Sequence, residues 1–228
     1  EAAAYLERAR AIDPADPQLD VQIGEAFEAA GEAGKALEPF RRAHAGLPDD
    51  RAVAGLLKNT LRALHEDEAL EALCLALAKK DPKDTDALFD LAVALRNLGK
   101  LEGALEALDR LLALEPREVN ALNDRGYVLS LTGRHKEAIE YFSRALEVNP
   151  KAEHALVNKG LALRKLGDHR EALACFRAAC DINPKDPSNF NLLGLSYSAL
   201  DMHTKAIESY EEGLKLASKD GMLLNNKG

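Results

Sequence analysis

VNALNDRGYVLSLTGRHKEAIEYFSRALEVNPKA, residues 119–152, is followed without a gap by EHALVNKGLALRKLGDHREALACFRAACDINPKD, residues 153–186. Aligned end to end, the two copies coincide at Gly126/Gly160, Gly133/Gly167, Ala138/Ala172, Phe142/Phe176, Ala145/Ala179 and Pro150/Pro184, among other positions. Self-similarity at a fixed period of this kind marks a repeat array, in which each unit buries its apolar face only by stacking on its neighbours. Prolines stand at Pro14, Pro48, Pro82, Pro116, Pro150 and Pro184, always one repeat after the last, and Ser218 takes the next slot. That register divides the chain into repeats 17–50, 51–84, 85–118, 119–152, 153–186 and 187–220. Residues 1–16 read as the second half of a preceding repeat, with Ala2, Leu6 and Ala9 in the slots of Ala138, Phe142 and Ala145. Residues 221–228 restart the pattern, Leu224 and Gly228 matching Leu156 and Gly160. The expectation is one solenoid domain over residues 1–228, a fragment of a longer array.

Within each copy a large residue and Gly are followed by Ala, an aromatic and Pro, as in Gly126, Ala138, Phe142 and Pro150. This pattern resembles the tetratricopeptide repeat family. The resemblance implies an all-α fold, a right-handed α-α superhelix of antiparallel helix pairs, one pair per repeat. It also implies a protein-binding scaffold; that it has no enzymatic activity of its own is expected from the lack of any catalytic motif in the sequence. Composition agrees, with 46% apolar residues and only 5% aromatics. Such a chain lacks the β-branched and aromatic runs of strands and favours helix.

The net charge of −8 argues against nucleic acid as the main partner, because phosphate backbones call for a basic stripe. No stretch reaches the roughly 18 apolar residues of a membrane span. No secretory leader is read at the start, so a cytoplasmic protein is expected. Acidic residues outnumber basic ones most strongly in repeat 17–50 and the half-repeat before it, whereas the two signs nearly balance from Val119 onward. The acidic end is either a solvated face or a preference for a basic partner segment.

Several residues depart from the pattern. Asp16-Pro17 and Asp186-Pro187 read as an N-cap followed by proline at the first helical position. Gly24 is expected to face Ala36, with Phe27 and Phe40 beside them. Pro39 falls inside a second helix, where a lost backbone bond costs about 3 kcal/mol and implies a late start or a bend. In repeat 51–84, Lys58 replaces the packing Gly, His65 the turn Gly, and Leu70 an Ala. A one-residue shift restores Ala69 and Ala76, which implies an altered loop at His65, Glu66 and Asp67, with Lys58 extending its stem outward. Arg125, Lys159 and Lys227 precede the packing Gly in their repeats, and carboxylates on adjacent helices would tie them down.

Chemistry is sparse. His135, His169 and His203 hold one position in three successive repeats. Stacked repeats set equivalent residues about 10 Å apart, too far to share a zinc ion at about 2 Å per ligand. These imidazoles are expected at the start of each second helix. Cys74 is isolated, and Cys175 and Cys180 lie on one helix without a metal-ligand spacing, so buried thiols are expected. No nucleophile elbow, phosphate loop or carboxylate pair appears. No metal and no cofactor are expected.

The resemblance places positions 2, 5, 6, 9, 12 and 13 of each first helix on a concave groove. In repeat 85–118 these include Phe89, Asp90 and Val93; in 119–152, Asn123, Asp124 and Tyr127. Repeat 153–186 supplies Asn158, Leu161 and Arg164, and repeat 187–220 supplies Asn191 and Leu195. Asn is a poor helix former, by about half a kcal/mol against Ala. Its recurrence beside the apolar row of Phe89, Val93, Tyr127, Leu161 and Leu195 fits a groove whose amides hold peptide bonds while the row takes side chains. Solvated polar residues are the alternative. The set of Lys, Asn and Arg by which co-chaperone arrays clamp a C-terminal carboxylate is missing from any three consecutive repeats; Gly55 stands where its first Lys would be. The leading reading is a scaffold that binds a peptide segment of a partner protein. The alternatives are the recognition arm of a larger enzyme such as a sugar transferase, or a structural scaffold that self-associates end to end. The last rests on apolar surface expected around Ala2, Leu6 and Ala9, and around Tyr197, Tyr210 and Leu214.

Overall fold

The computed structural model describes residues 8, 10, 11 and 16–227; the expectations for Ala2, Leu6, Ala9, Pro14 and Gly228 lie outside them. Thirteen helices follow one another among the described residues from Pro17 onward. First helices of the repeats are α1 (Pro17–Ala29), α3 (Arg51–Ala63), α5 (Thr85–Asn97), α7 (Val119–Leu131), α9 (Glu153–Leu166), α11 (Pro187–Ser198) and α13 (Gly221–Lys227). Second helices are α2 (Ala33–Gly46), α4 (Asp67–Lys80), α6 (Leu101–Leu114), α8 (His135–Val148), α10 (His169–Ile182) and α12 (His203–Leu216). The fold is all-α, and each kind of helix restarts once per repeat. The chain divides into two compact units, Glu1–Lys100 with α1 to α5 and Leu101–Gly228 with α6 to α13.

An acidic side chain starts nearly every first helix. Asp16, Asp50, Asp84, Asp186 and Asp220 accept from amides just ahead of them, at 2.8–3.2 Å, and Glu118 accepts from Ala121. Each such cap is worth about 1 kcal/mol. Ala152, before α9, is the exception. The turns inside the helix pairs use Gly31, Gly99, Gly133 and Gly167 with φ between 74° and 87°. His65 and Asp201 hold the same left-handed backbone at φ 56° and 57°. The loop at His65 is therefore the ordinary one, and α4 starts at Asp67 in the common register, which corrects the expected one-residue shift. A non-glycine residue in this region costs about 1–2 kcal/mol, more than the roughly 0.5–1 kcal/mol of chain entropy that glycine adds. His65→Gly should consequently raise stability by about 0.5–1 kcal/mol, seen as a higher urea midpoint; a lower midpoint would mean that His65 makes compensating contacts.

Packing within a pair is a matter of matched volumes. An added Cβ on Gly126 would lie 2.6 Å from the Phe142 ring, and one on Gly160 would lie 2.7 Å from Phe176. Gly24 meets Phe40 and Gly194 meets Tyr210 in the same way. The glycine thus makes room for the second helix's aromatic, and Phe40 fills the space beside Gly24 as expected. In the sequence, where the aromatic slot shrinks the glycine slot grows: Ala92 goes with Leu108, and Lys58 goes with Cys74. Leu70 and Cys74 are both fully buried.

Two further corrections follow. Helix α2 begins at Ala33, level with the other second helices, and runs through a buried Pro39, so no late start occurs. Lys58 is 8% exposed, and its ammonium lies 3.0 Å from Asp90, itself 3% exposed. With Cys74 across the pair in place of a ring, the lysine stem is held inside rather than extended outward. Arg62 binds the second oxygen of Asp90, so one buried carboxylate answers two cations.

In the second unit the expected opening around Tyr197, Tyr210 and Leu214 is closed at the two tyrosines, while Leu214 is half-buried against the same cluster. The tyrosines are 8% and 2% exposed, because α13 lays Leu223, 1% exposed, into their cluster. Gly213 leaves room for it, an added Cβ there coming within 3.0 Å of Leu223. No helix among the described residues is long and apolar enough to cross a membrane.

Candidate functional site: the first-helix face of the second unit

Side chains three and four apart share one helix face, so Asn123 and Tyr127 rise from one side of α7, and Asn158 and Leu161 from one side of α9. Helices α7 and α9 are neighbours, and the amides meet: Asn158 Nδ2 donates to Asn123 Oδ1 at 3.0 Å. The arrangement recurs on α11 and α13, where Asn226 Nδ2 donates to Asn191 Oδ1 at 2.8 Å. In both pairs the donor sits one position beyond the acceptor's equivalent in the next repeat. Between the two amide pairs, the corresponding slots hold Val157 and Leu192, both half-buried against the cluster of Phe176 and Tyr210. The face therefore alternates amide pair, apolar pair, amide pair.

Each amide has two donors and an acceptor. Asn158 and Asn226 each use one donor in these pairs, and Asn123 gives one to Asp124 at 3.3 Å. Mutual bonding restrains the rotamers, and each amide has further donor or acceptor capacity beyond the pair. Beside them run Tyr127 and Leu161, both 38% exposed, and the half-buried Leu195. Large apolar groups half in water next to prearranged amides form a surface suited to an extended chain, whose peptide bonds and side chains need those two kinds of contact.

Of the expected groove residues, Asn123, Asp124, Tyr127, Asn158, Leu161, Arg164, Asn191 and Leu195 lie on α7, α9 and α11 in this unit. Phe89 and Val93 lie on α5 in the first unit and are half-buried. Asp90 is corrected: Lys58 and Arg62 hold its carboxylate inside, away from any ligand. Residue-by-residue reading places Asn225 and Asn226 together on this face at the start of the next repeat, and the one-position offset between paired slots makes Asn226 the bonded one. It missed Glu153, whose carboxylate accepts from Asn183 at 3.2 Å and from the buried Asn189 at 2.8 Å.

The bases before the packing glycines are tied down in two cases. Arg125 grips Asp109 with two nitrogens at 2.5 and 3.1 Å and stacks 4.1 Å from the Tyr141 ring; Lys227 meets Glu211 at 2.8 Å. For Lys159 the slot equivalent to Asp109 holds Ser143, which donates instead to Ile139 O. His135, His169 and His203 each begin a second helix, and Ser130 Oγ lies 3.2 Å from His135 Nδ1. Among the described residues no three His, Cys, Asp or Glu side chains are grouped to hold a metal ion. Burial pushes the Cys74 and Cys180 thiols up to about 12 and also raises Cys175. Thiolate, the reactive form, is then scarce at neutral pH.

Two family models described as tetratricopeptide repeat match the chain, one over residues 117–185 and the other over residues 61–118 and 157–222, the latter more than half of the chain. A peroxisomal targeting signal receptor of Kluyveromyces lactis is 33% identical over 105 residues, which is 46% of this chain. The chain spans 18% of that relative's length. Among solved structures, a chain of the APC/C hetero-tetramer Cut9-Hcn1 superposes with a TM-score of 0.75 at 18% identity, covering 98% of this chain and 44% of that one. YrrB, a repeat protein with an unusual peptide-binding site, covers 99% of both chains with a TM-score of 0.58 at 18% identity. MamA covers 86% of this chain and 95% of its own, with a TM-score of 0.60 at 18% identity. At these identities the structural likeness is one of fold.

Proposed function

Because the chain belongs to the tetratricopeptide repeat family, we propose that it is a protein-interaction scaffold that binds an extended peptide segment of a partner across the faces of α7, α9 and α11. The observation that carries this reading is the pair of amide bonds, Asn158 to Asn123 and Asn226 to Asn191, beside the half-exposed row of Tyr127, Leu161 and Leu195. Asparagines in helix interiors forgo about half a kcal/mol each relative to alanine. A surface kept only for solubility gains nothing from ordering them against each other. A binding face does, because prearranged donors and acceptors lose less entropy when a ligand arrives. The likeness to a targeting-signal receptor points the same way, toward a protein ligand.

Peptides selected on the wild-type chain from a random-peptide phage library supply the probe. Tyr127→Ala and Asn158→Ala should each weaken their binding about tenfold, the loss of one half-buried ring or one buried hydrogen bond at an interface. Melting should move little, since neither side chain lies between the helices of a pair. Unchanged affinity in both variants would remove α7 and α9 from the binding face.

A further inference from the structure

Arg62 and Arg164 occupy the same position in repeats 51–84 and 153–186. At Arg62 the charge is answered within the chain by Asp90 on the next first helix, and Lys58 closes on the same carboxylate. For Arg164 the slot equivalent to Asp90 holds Leu192, half-buried in an apolar cluster. Among the described residues no carboxylate lies within 4.0 Å of Arg164 or of its neighbour Lys165. The other first-helix cations of this unit are bound where a partner slot allows it, Arg125 to Asp109 and Lys227 to Glu211.

These two charges share a face with the amides. Along α9, Asn158, Leu161 and then Arg164 with Lys165 recur at helical spacing, so the cations stand about 10 Å from Asn158 on the far side of the apolar row. The equivalent positions are Ser130 and Leu131 on α7, and Ser198 at the end of α11 with Ala199 just after it, all uncharged. The face therefore carries one concentrated positive point beside Leu161. Basic residues in a last turn also favour the helix dipole, but that effect would be served by either residue alone and does not require the carboxylate slot to have become Leu192.

We propose that the ligand segment carries one acidic side chain, which sits over Arg164 and Lys165 next to an apolar side chain resting on Leu161. The internal Asp90 arrangement in the first unit is the chain's own example of that recognition. This rests on α7, α9 and α11 being the binding face, and the test separates the two claims. The probe is a positional-scanning library of nonapeptides acetylated and amidated at their ends, measured against the whole chain. The expected result is selection of Asp or Glu at a single position, with about tenfold weaker binding when that residue is Ala, and inversion of the preference to Lys or Arg in the Arg164→Glu, Lys165→Glu variant. Lys165→Gln, at an exposed site, keeps the test open if the double variant folds poorly; it should reduce the acidic preference and leave melting unchanged. Binding that depends on Asn158 but shows no acidic preference, or a preference that survives charge reversal, overturns the charge inference and leaves the binding face standing. Failure of every peptide to bind overturns both.

Discussion

Gly160→Leu is expected to destabilise the second unit by at least about 3 kcal/mol, because the added side chain would have to occupy the place of the Phe176 ring. That ring is fully buried in the cluster it shares with Leu163, Ala172 and Tyr210, so moving it means repacking those neighbours. A smaller change tests the volume argument through its sign. Gly160→Ala gains about 1 kcal/mol of helix propensity but meets the ring at 2.7 Å, an overpacking cost of about 1–3 kcal/mol. The net effect in the wild-type background is destabilisation or no change. In a Phe176→Leu background the ring is gone and only the propensity gain remains, so the same substitution should stabilise by about 1 kcal/mol. The repeat at 85–118 already has this combination, Ala92 with Leu108. Urea midpoints of the four chains measure the coupling; additive effects would show that the glycine is not there for the ring.

The second large effect concerns the buried carboxylate. Asp90→Ala strands the Lys58 ammonium, whose side chain is only 10% exposed, and should cost about 3–5 kcal/mol. Arg62, with 46% of its side chain in water, loses little. Replacing both buried partners, Lys58→Met with Asp90→Leu, removes the stranded charge together with the desolvation of the pair. That double variant should be within about 1 kcal/mol of wild type or more stable. A single variant no worse than the double one would place Lys58 in water and contradict the described geometry.

These two cases mark what is legible in the sequence. The period, the all-helical class and the start of each helix follow from Pro14 to Pro184 and the glycines, since such backbone devices act at single positions. Pairwise compensation is not visible that way. Compared only with the same position in other repeats, Lys58 reads as a residue that must escape to water, and Leu70 as a slipped register. The structure resolves both through partners elsewhere: Cys74 yields the space, and Asp90 supplies the charge. The amide pairs are half legible. Asparagine in helix interiors points to the face, but the bonds join position five of one repeat to position six of the next, an offset that strict alignment of the repeats hides.

The most direct test of the binding face observes those amides themselves. In the ¹⁵N-labelled chain titrated with a selected peptide, the side-chain NH₂ resonances of Asn123, Asn158, Asn191 and Asn226 should shift together and saturate at one affinity, with backbone changes concentrated on α7, α9 and α11. Saturable shifts confined to second helices, around Ile207 or Leu216 for example, with the four amides unmoved, would contradict the account.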